Sequence, residues 1–288
     1  MRRPHPPGLA PFTMHDEHVQ PHRWYSTNLV GVPTSVLTST DFNQHPVGLH
    51  IAGARQAHTG LFALLDTSRD VAEASEMFGH YMSLAFGLQP VDDATSPAEA
   101  RRWRASYLKL LQGWGHDSNG PAGAVLKGWV ESRFGLVPGF HKERLDRFPS
   151  PAWVQYLEEK ASSRFHNNCI YQQLDLLYEY CQWALARFKP FGAGRHAALW
   201  RGSNRCDEQI VAGSLKDVGR RLIVRLNNVV SFATTAEQAD CFGDWLLQAQ
   251  VPLTKVLFHP GLLPSVPLAG EDEVLALGGD YVVEARYA

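Results

Sequence analysis

The chain has 288 residues, which is enough for about two structural units and for a hydrophobic core that needs no disulfide or metal. Apolar residues make up 44% of it and charged residues 19%, values that exclude an intrinsically disordered chain and a coiled coil. Its 27 basic and 29 acidic side chains give a net charge of −2, which argues against binding to nucleic acid or to an acidic membrane surface.

The cysteines and the hydropathy pattern indicate the cellular compartment of the protein. Four cysteines lie far apart and form no CxxC pair, which disfavours a zinc ribbon. We find no signal peptide and no run close to the roughly 18 apolar residues that a membrane span requires. We therefore expect a soluble, cytoplasmic protein without a membrane span.

Residues 1–24 are rich in proline and histidine and have no hydrophobic period, which predicts a flexible tail. His15 and His18 have the spacing of one helix face, which would suit a metal ion. The neighbouring prolines disfavour a fixed helix. We therefore expect no functional metal site here and none in the core.

The portion from residue 25 to residue 190 is predicted to be mainly helical. Apolar residues repeat at helical spacing in three stretches, Asp66–Leu88, Pro151–Phe165 and Ile170–Phe188. Another helix is predicted to begin after Ser96, because Ser96 and Glu99 form a capping box. An apolar stripe that follows it is expected to face the core, and its members are Trp103, Tyr107, Leu110, Leu111 and Trp114.

Beyond residue 190 the pattern changes to short β-rich runs separated by glycine, proline and asparagine. The predicted strands are Ala197–Arg201, Leu222–Leu226, Val229–Phe232, Lys255–Phe258, Val274–Leu277 and Tyr281–Tyr287. One helical insertion is predicted at Glu237–Gln250. The predicted fold class is therefore α+β, with a helical portion at 25–190 and a β-rich portion at 191–288 that can share one core.

A pair of acidic residues is the strongest chemical feature of the β-rich portion. In Gly270-Glu271-Asp272-Glu273, the alternation of a strand places Glu271 and Glu273 on one face. Two carboxylates on an otherwise apolar face suit acid–base chemistry or the stabilisation of a cation. Taken alone, the pattern is more typical of an acidic loop that enters a strand.

Two more features change that balance. Arg201 ends a predicted strand and precedes Gly202; the arginine fork matches phosphate oxygens, and glycine lets a backbone approach closely. Ser231 adds a hydroxyl at the end of another predicted strand. Each feature alone is common in proteins, but the order Arg, Ser, Glu-x-Glu is much less probable by chance.

The order Arg201, Ser231 and Glu271-Asp272-Glu273 resembles the R-S-E signature of cholera-toxin-like mono-ADP-ribosyltransferases. From about Trp24 to Ala288 the chain more closely resembles the dinitrogenase-reductase ADP-ribosyltransferases, bacterial enzymes that switch nitrogenase off. Three strings carry this closer resemblance: STNLVGVPTS from residue 26, LFHPGLLP from residue 257 and GEDEVLALGGDY from residue 270. The resemblance implies an ADP-ribosyltransferase-type split-sheet core in the β-rich portion.

The resemblance implies that the protein cleaves NAD⁺ at the nicotinamide–ribose bond and transfers ADP-ribose to an arginine. Glu273 would stabilise the oxocarbenium-like ribose, and Glu271 would align the acceptor guanidinium and accept its proton. Arg201 would bind a phosphate or ribose of NAD⁺, and Ser231 would orient Glu273 or the ribose. The sequence departs from the superfamily's serine motif at Ala233, where a hydroxyl residue is usual.

Other contacts with NAD⁺, the co-substrate, are less specified by the sequence. The residues expected to bind it are Arg201, Gly202, Ser231, Phe232 and Glu273. Three aromatic residues are candidates to stack on nicotinamide, although two of them are expected to be core residues; they are Phe232, Phe242 and Trp245.

The segment His259–Gly270 contains three prolines and directly precedes Glu271. By resemblance it would recognise the protein acceptor. Its apolar side chains could equally pack on the helical portion, and these are Leu262, Leu263, Val266 and Leu268. His259 is more typical of a structural histidine than of a catalytic one.

The leading hypothesis is an NAD⁺-dependent protein-arginine mono-ADP-ribosyltransferase whose acceptor is the nitrogenase iron protein. The resemblance also implies a PII signalling protein as regulator. The alternatives are an NAD glycohydrolase, which uses water as acceptor, and a catalytically inactive module that binds a nucleotide or a partner. A Rossmann dehydrogenase is disfavoured because no GxGxxG follows a predicted strand.

Overall fold

A computed structural model describes residues 28–89, 93, 96–204, 206–216, 221–264 and 273–287. The predicted tail at 1–24 lies outside these ranges. The described helices are α1 (Thr34–Leu37), α2 (Thr40–Gln44), α3 (Ala54–Ala57), α4 (Thr59–Leu65), α5 (Val71–Phe86), α6 (Pro97–Arg104), α7 (Tyr107–His116), α8 (Pro121–Phe134), α9 (Pro151–Ser162), α10 (Asn168–Phe188) and α11 (Ala236–Asp240). The strands are β1 (Phe140–His141), β2 (Glu143–Arg144), β3 (His196–Ser203), β4 (Ile210–Ala212), β5 (Arg221–Ala233), β6 (Trp245–Pro252), β7 (Val256–Phe258) and β8 (Glu273–Tyr287). The predicted α+β class is confirmed.

Polar caps set the starts of the predicted helices. The capping box at the start of α6 is complete, since Ser96 and Glu99 each accept the other's backbone N–H. Ser150 caps α9 by accepting the N–H of Trp153. Asp70 caps α5, which is therefore shorter than the predicted Asp66–Leu88 and ends at Gly87 in the left-handed conformation.

The hydrophobic pattern of the sequence does not predict helix α8. Most of its side chains are buried, including the charged Lys127, and its interior holds several glycine and alanine residues. A helix that is buried on nearly all sides has no polar face to alternate with an apolar one. The periodicity that identifies amphipathic helices is therefore weak here.

Six strands form an antiparallel sheet in the order β4-β5-β3-β6-β8-β7, and β5 also pairs with β8. Strands β3, β6, β8 and β5 consequently pair in a closed ring, in which a single residue pair, Trp200 and Ala233, joins β3 to β5. Because β5 and β8 are long, each changes partners along its length. The ring brings the ends of β3 and β5 to the start of β8.

Strands β5 and β8 are continuous where the sequence predicts breaks. Asn227 and Asn228 form a bulge in β5 opposite Gly278, and the pairing resumes on both sides of it. A Cβ atom at Gly278 would collide with the carbonyl oxygen of Asn227, so the strands can approach only because this residue is glycine. Residues typical of turns therefore mark a bulge here.

The predicted helix Glu237–Gln250 is wrong in most of its length. Only Ala236–Asp240 is helical; Trp245–Pro252 forms β6, which pairs with β3 on one side and β8 on the other. Gly243 separates the two elements, and a side chain there would collide with the backbone of Ser203. The hydrogen bonds and burial offered by two neighbouring strands outweigh the high intrinsic helix propensity of Leu, Gln and Ala, which amounts to only a few tenths of a kcal/mol per residue.

Helix α10, with 21 residues, joins the helices to the sheet. The Tyr178 hydroxyl donates to the backbone oxygens of Leu49 and Thr254, and Gln182 donates to the carbonyl of Val256. One buried cluster of apolar side chains includes residues from α1 to β8, so helices and sheet share a core. No helix within the described ranges is long and apolar enough to cross a membrane.

Candidate active site

Three strands place the residues of the R-S-E signature together. Glu273 is the first residue of β8 and lies directly opposite Ala233 of β5. Ser231 lies two residues before Ala233 and therefore shares its face of the strand. Arg201, on β3, donates from Nη1 to the backbone oxygen of Ser231 at 2.8 Å. The structure thus brings Arg201, Ser231 and Glu273 into one site.

A fourth residue, Trp114 of α7, connects two of these side chains. Its indole Nε1 donates to Ser231 Oγ at 3.1 Å and to Glu273 Oε1 at 3.2 Å. The sequence pattern assigned Trp114 to an apolar stripe, and the residue is indeed only 4% exposed. Its polar function was missed, because an indole on an apolar helix face has the same pattern whether or not its N–H has a specific acceptor.

The guanidinium of Arg201 is set up to receive a polar ligand. Burial lowers the pKa of Arg201 from its ordinary value, whereas the negative charge of Glu273 acts in the opposite direction. Its Nε is buried and has no hydrogen-bond partner among the residues that the structure describes. A buried charged donor without an acceptor is costly. An oxygen-rich anion such as the diphosphate of NAD⁺ would satisfy it.

Gly202 is required by packing within the protein. A Cβ atom there would collide with the carbonyl oxygen of Ala239 and would touch the Phe242 backbone and Cβ. The segment that follows β5 thus packs closely on β3. Its helix, α11, is capped by Thr235, which accepts the N–H of Gln238. A contact of Gly202 with NAD⁺ stays a prediction.

The three aromatic candidates for stacking on nicotinamide lie in different surroundings. Phe232 is 3% exposed and its ring lies 6.0 Å from that of Tyr281, in the core. Trp245 is half-buried against Tyr287. Phe242 is 72% exposed and follows α11, next to Gly202. Phe242 is therefore the ring most accessible to a ligand, and the stacking role itself stays a prediction.

A buried lysine lies behind the site. Lys127 of α8 has its Nζ 5.9 Å from the centroid of the Trp114 ring, and donates to Asn119 Oδ1 at 3.0 Å. The same Nζ lies 3.3 Å from Nδ1 of His141, whose Nε2 contacts Glu159. Burial lowers the pKa of Lys127 to about 7. This polar network lies on one side of the Trp114 indole.

Comparison with known proteins places the chain in a family. The family model described as "Dinitrogenase reductase ADP-ribosyltransferase (DRAT)" matches residues 27–285. The chain belongs to this family. A protein of Rhodospirillum rubrum named "NAD(+)--dinitrogen-reductase ADP-D-ribosyltransferase" is 50% identical over 266 residues, which cover 91% of this chain and 95% of that protein. No solved structure gives a significant match to the chain.

Membership of the dinitrogenase reductase ADP-ribosyltransferase family confirms the resemblance found in the sequence. The matched region includes all four residues of the signature, Arg201, Ser231, Glu271 and Glu273. Glu271 lies outside the described residues, so its position relative to Glu273 stays a prediction.

The segment before Glu271 is described only as far as residue 264. Leu262 and Leu263 are 1% and 0% exposed, and the carbonyl of Leu262 accepts the Tyr180 hydroxyl of α10. These two leucines therefore pack on the helical portion, the second of the two interpretations that the sequence allowed. His259 is buried beside Phe191, as expected of a structural histidine. Val266 and Leu268 lie outside the described residues.

Metal binding finds no support in the part of the chain that the structure describes. No group of three or more His, Cys, Asp or Glu side chains is arranged there to hold a metal ion. The His15 and His18 pair lies outside this part.

Proposed function

We propose that this protein transfers ADP-ribose from NAD⁺ to an arginine of dinitrogenase reductase, the iron protein of nitrogenase, and so switches nitrogen fixation off. The observation that carries the proposal is the convergence of Arg201, Ser231 and Glu273 at the junction of β3, β5 and β8. The sequence identity of 50% to the Rhodospirillum rubrum enzyme, over most of both chains, supports the proposal that the two proteins use the same substrates.

In the proposed reaction, the bond between the ribose C1′ and the nicotinamide nitrogen breaks, and its electron pair leaves with nicotinamide. The C1′ centre becomes positive, and a guanidine nitrogen of the acceptor forms the new bond while one proton is released. A carboxylate held beside the sugar stabilises the developing positive charge. We assign this role to Glu273, which the Trp114 N–H holds at the start of β8.

Arg201 and Ser231 position NAD⁺ in this scheme. The unpartnered Nε of Arg201 suits a phosphate or ribose oxygen, while its Nη1 stays on the carbonyl of Ser231. The Ser231 hydroxyl accepts the Trp114 N–H, and its own proton remains available for the Glu273 carboxylate or for a ribose oxygen.

Glu271 determines the acceptor in this proposal. A guanidinium is protonated at neutral pH and is a poor nucleophile. A carboxylate beside it aligns the nitrogen and accepts its proton as the new bond forms. Without that carboxylate, water remains as the acceptor, and the enzyme would act as an NAD glycohydrolase.

The cellular setting belongs to the same proposal. All four cysteines are free, which fits the reducing cytoplasm where nitrogenase works. The family resemblance adds a PII signalling protein as regulator. Co-purification of the protein with PII tests that partner directly.

The test of the proposed function is incubation with labelled NAD⁺ and purified dinitrogenase reductase. We expect label on dinitrogenase reductase and equimolar free nicotinamide. Free ADP-ribose without labelled protein would instead indicate a glycohydrolase. Absence of nicotinamide release, together with NAD⁺ binding, would indicate a catalytically inactive module.

A further inference from the structure

We infer that Trp114 is a positioning residue that holds the Glu273 carboxylate for catalysis, so that helix α7 completes the active site formed by the strands. The inference rests on the proposed function, because it assigns to Glu273 its role in cleaving NAD⁺. It adds a residue from the helical portion to the Arg, Ser and Glu signature.

The hydrogen bonds of Glu273 provide the first argument. Trp114 is the one side chain among the described residues that donates a hydrogen bond to this carboxylate. Ala233, which lies directly opposite Glu273, has no donor to offer. The two hydroxyl residues that follow Ala233 interact with α11 instead. Thr234 hydrogen-bonds to Gln238, and Thr235 caps the helix. The indole therefore supplies a donor that Ala233 and the two residues after it do not offer, and it acts beside the Ser231 hydroxyl.

The rigidity of the indole provides the second argument. Trp114 is 4% exposed, and α7 lies so close to α8 that a Cβ at Gly113 would be 2.7 Å from that of Ala122. On α8, the Lys127 Nζ lies 5.9 Å from the centre of the Trp114 ring and is itself hydrogen-bonded to Asn119, with His141 at 3.3 Å. A donor fixed on packed helices directs the carboxylate with little freedom.

The sharing of one N–H between Ser231 and Glu273 provides the third argument. Both oxygens lie within 3.2 Å of Nε1, so the indole fixes their mutual spacing as well as the direction of the carboxylate. Hydrogen bonds to a charged acceptor are stronger than those between neutral groups. A preorganised carboxylate reacts without first having to reorient.

The kinetic experiment replaces Trp114 by Phe, which keeps an aromatic ring and removes the N–H. We expect kcat for nicotinamide release to fall about 10- to 100-fold, the range of a lost hydrogen bond to a charged group. The KM for NAD⁺ should stay within about twofold, since Arg201 still binds the dinucleotide. In the double variant Trp114→Phe with Ala233→Ser, the new hydroxyl opposite Glu273 should restore part of kcat.

The matched control is Trp129→Phe. Trp129 is also buried and its indole also donates to a carboxylate, that of Asp175 at 2.7 Å, on the helices away from the strand ends. This variant should lose stability in the same way and keep the wild-type kcat. An equal fall of kcat in both variants would overturn the inference, because it would show a general loss of packing.

A spectroscopic experiment tests the contact without activity. The chain has eight tryptophans, so a ¹⁵N-indole spectrum of the full-length protein should show eight N–H signals, and Trp114→Phe identifies one of them. That signal should shift in Glu273→Gln and in Ser231→Ala, while the Trp129 signal stays in place. A Trp114 signal with an unchanged chemical shift in both variants would overturn the inference.

The two failures are distinguishable. If Glu273→Gln releases nicotinamide as fast as wild type, the proposed catalytic role of Glu273 fails and the inference fails with it. If Glu273→Gln is inactive but Trp114→Phe has the wild-type kcat, the inference alone is overturned.

Discussion

The guanidinium of Arg201 donates to the backbone oxygen of Ser231 at 2.8 Å, next to the Trp200–Ala233 pair that joins β3 to β5. The side chain thus ties two strands together at the site while its Nε points to no described partner. One arginine thereby contributes both to the closure of the sheet and to the proposed binding of NAD⁺.

Replacement of Arg201 by Lys should weaken the proposed binding of NAD⁺. A lysine ammonium is a point charge and lacks the fork that can bond the Ser231 carbonyl and a ligand oxygen together. We expect the KM for NAD⁺ to rise about tenfold or more in steady-state assays, the effect of losing one charged hydrogen bond. The control is Arg286→Lys, on an exposed residue whose guanidinium stacks on Trp200. A wild-type KM in Arg201→Lys would contradict the assigned role.

Replacement of Glu271 by Gln should uncouple transfer from NAD⁺ cleavage. The acceptor guanidinium loses its proton acceptor, whereas Glu273 still stabilises the ribose cation. We expect labelled dinitrogenase reductase to disappear while slow, acceptor-independent release of ADP-ribose remains. Asp272→Asn, on the intervening residue, is the matched control and should retain transfer. Equal loss of both reactions in Glu271→Gln would contradict a role specific to the acceptor.

Replacement of Gly278 by Ala should destabilise the sheet. The added methyl group would collide with the Asn227 carbonyl at the bulge between β5 and β8, so the backbone must move. Overpacking of this kind costs roughly 1–3 kcal/mol in the free energy of unfolding, measurable by urea denaturation. The control is Gly60→Ala in α4, where the methyl group meets nothing within 4 Å and should be neutral or stabilising. Equal stability of the two variants would contradict the account of the bulge.

The proximity of Arg201, Ser231 and Glu273 could be predicted from the sequence because an arginine, a serine and an acidic pair follow one another in the order of a known signature, and their roles stay predictions. The contact of Trp114 with Glu273 could not be predicted, because it depends on how α7 packs against the sheet. The one-dimensional pattern of Trp114 is that of any core residue.

The same limit explains the errors in the fold. The residues of β6, rich in Leu, Gln and Ala, have no strong strand preference, and their conformation depends on β3 and β8, which are distant in sequence. The glycines and asparagines at 227–228 and 278–279 indicate a break in each strand considered alone. Only the pairing of β5 with β8 shows that they form one bulge. Capped amphipathic helices such as α6 were predictable because their signals are local.

Two buried lysines should make stability rise with pH. Burial lowers the pKa of Lys127 and of Lys255 to about 7, from an ordinary value of 10.5. Well below pH 7 both lysines are protonated in the folded and in the unfolded protein, so the full cost of burying the two charges lowers the free energy of unfolding. As the pH rises above 7, the folded protein loses these protons while the unfolded chain keeps them, so the free energy of unfolding increases.

The expected increase between pH 7 and about pH 8.5 is roughly 1.5 kcal/mol for each lysine. Above that window the thiols of Cys181 and Cys206 act in the opposite direction, because burial raises the pKa of each and the unfolded chain ionises first. The Nζ of Lys255 lies 5.4 Å and 5.0 Å from the ring centroids of Phe42 and Tyr281, so Lys255→Met should keep the packing and remove its share of the increase. A pH-independent stability of the wild-type protein in this window would refute the prediction.

We propose that this protein attaches ADP-ribose to an arginine of dinitrogenase reductase through Glu273. The most direct measurement is mass spectrometry of dinitrogenase reductase after incubation with NAD⁺ and either wild-type protein or Glu273→Gln, with the exposed Glu284→Gln of the same strand as control. We expect one ADP-ribose on an arginine with wild type and with Glu284→Gln, and a rate about 10²–10³-fold lower with Glu273→Gln. An unmodified acceptor with the wild-type protein, or full modification with Glu273→Gln, would contradict the claim.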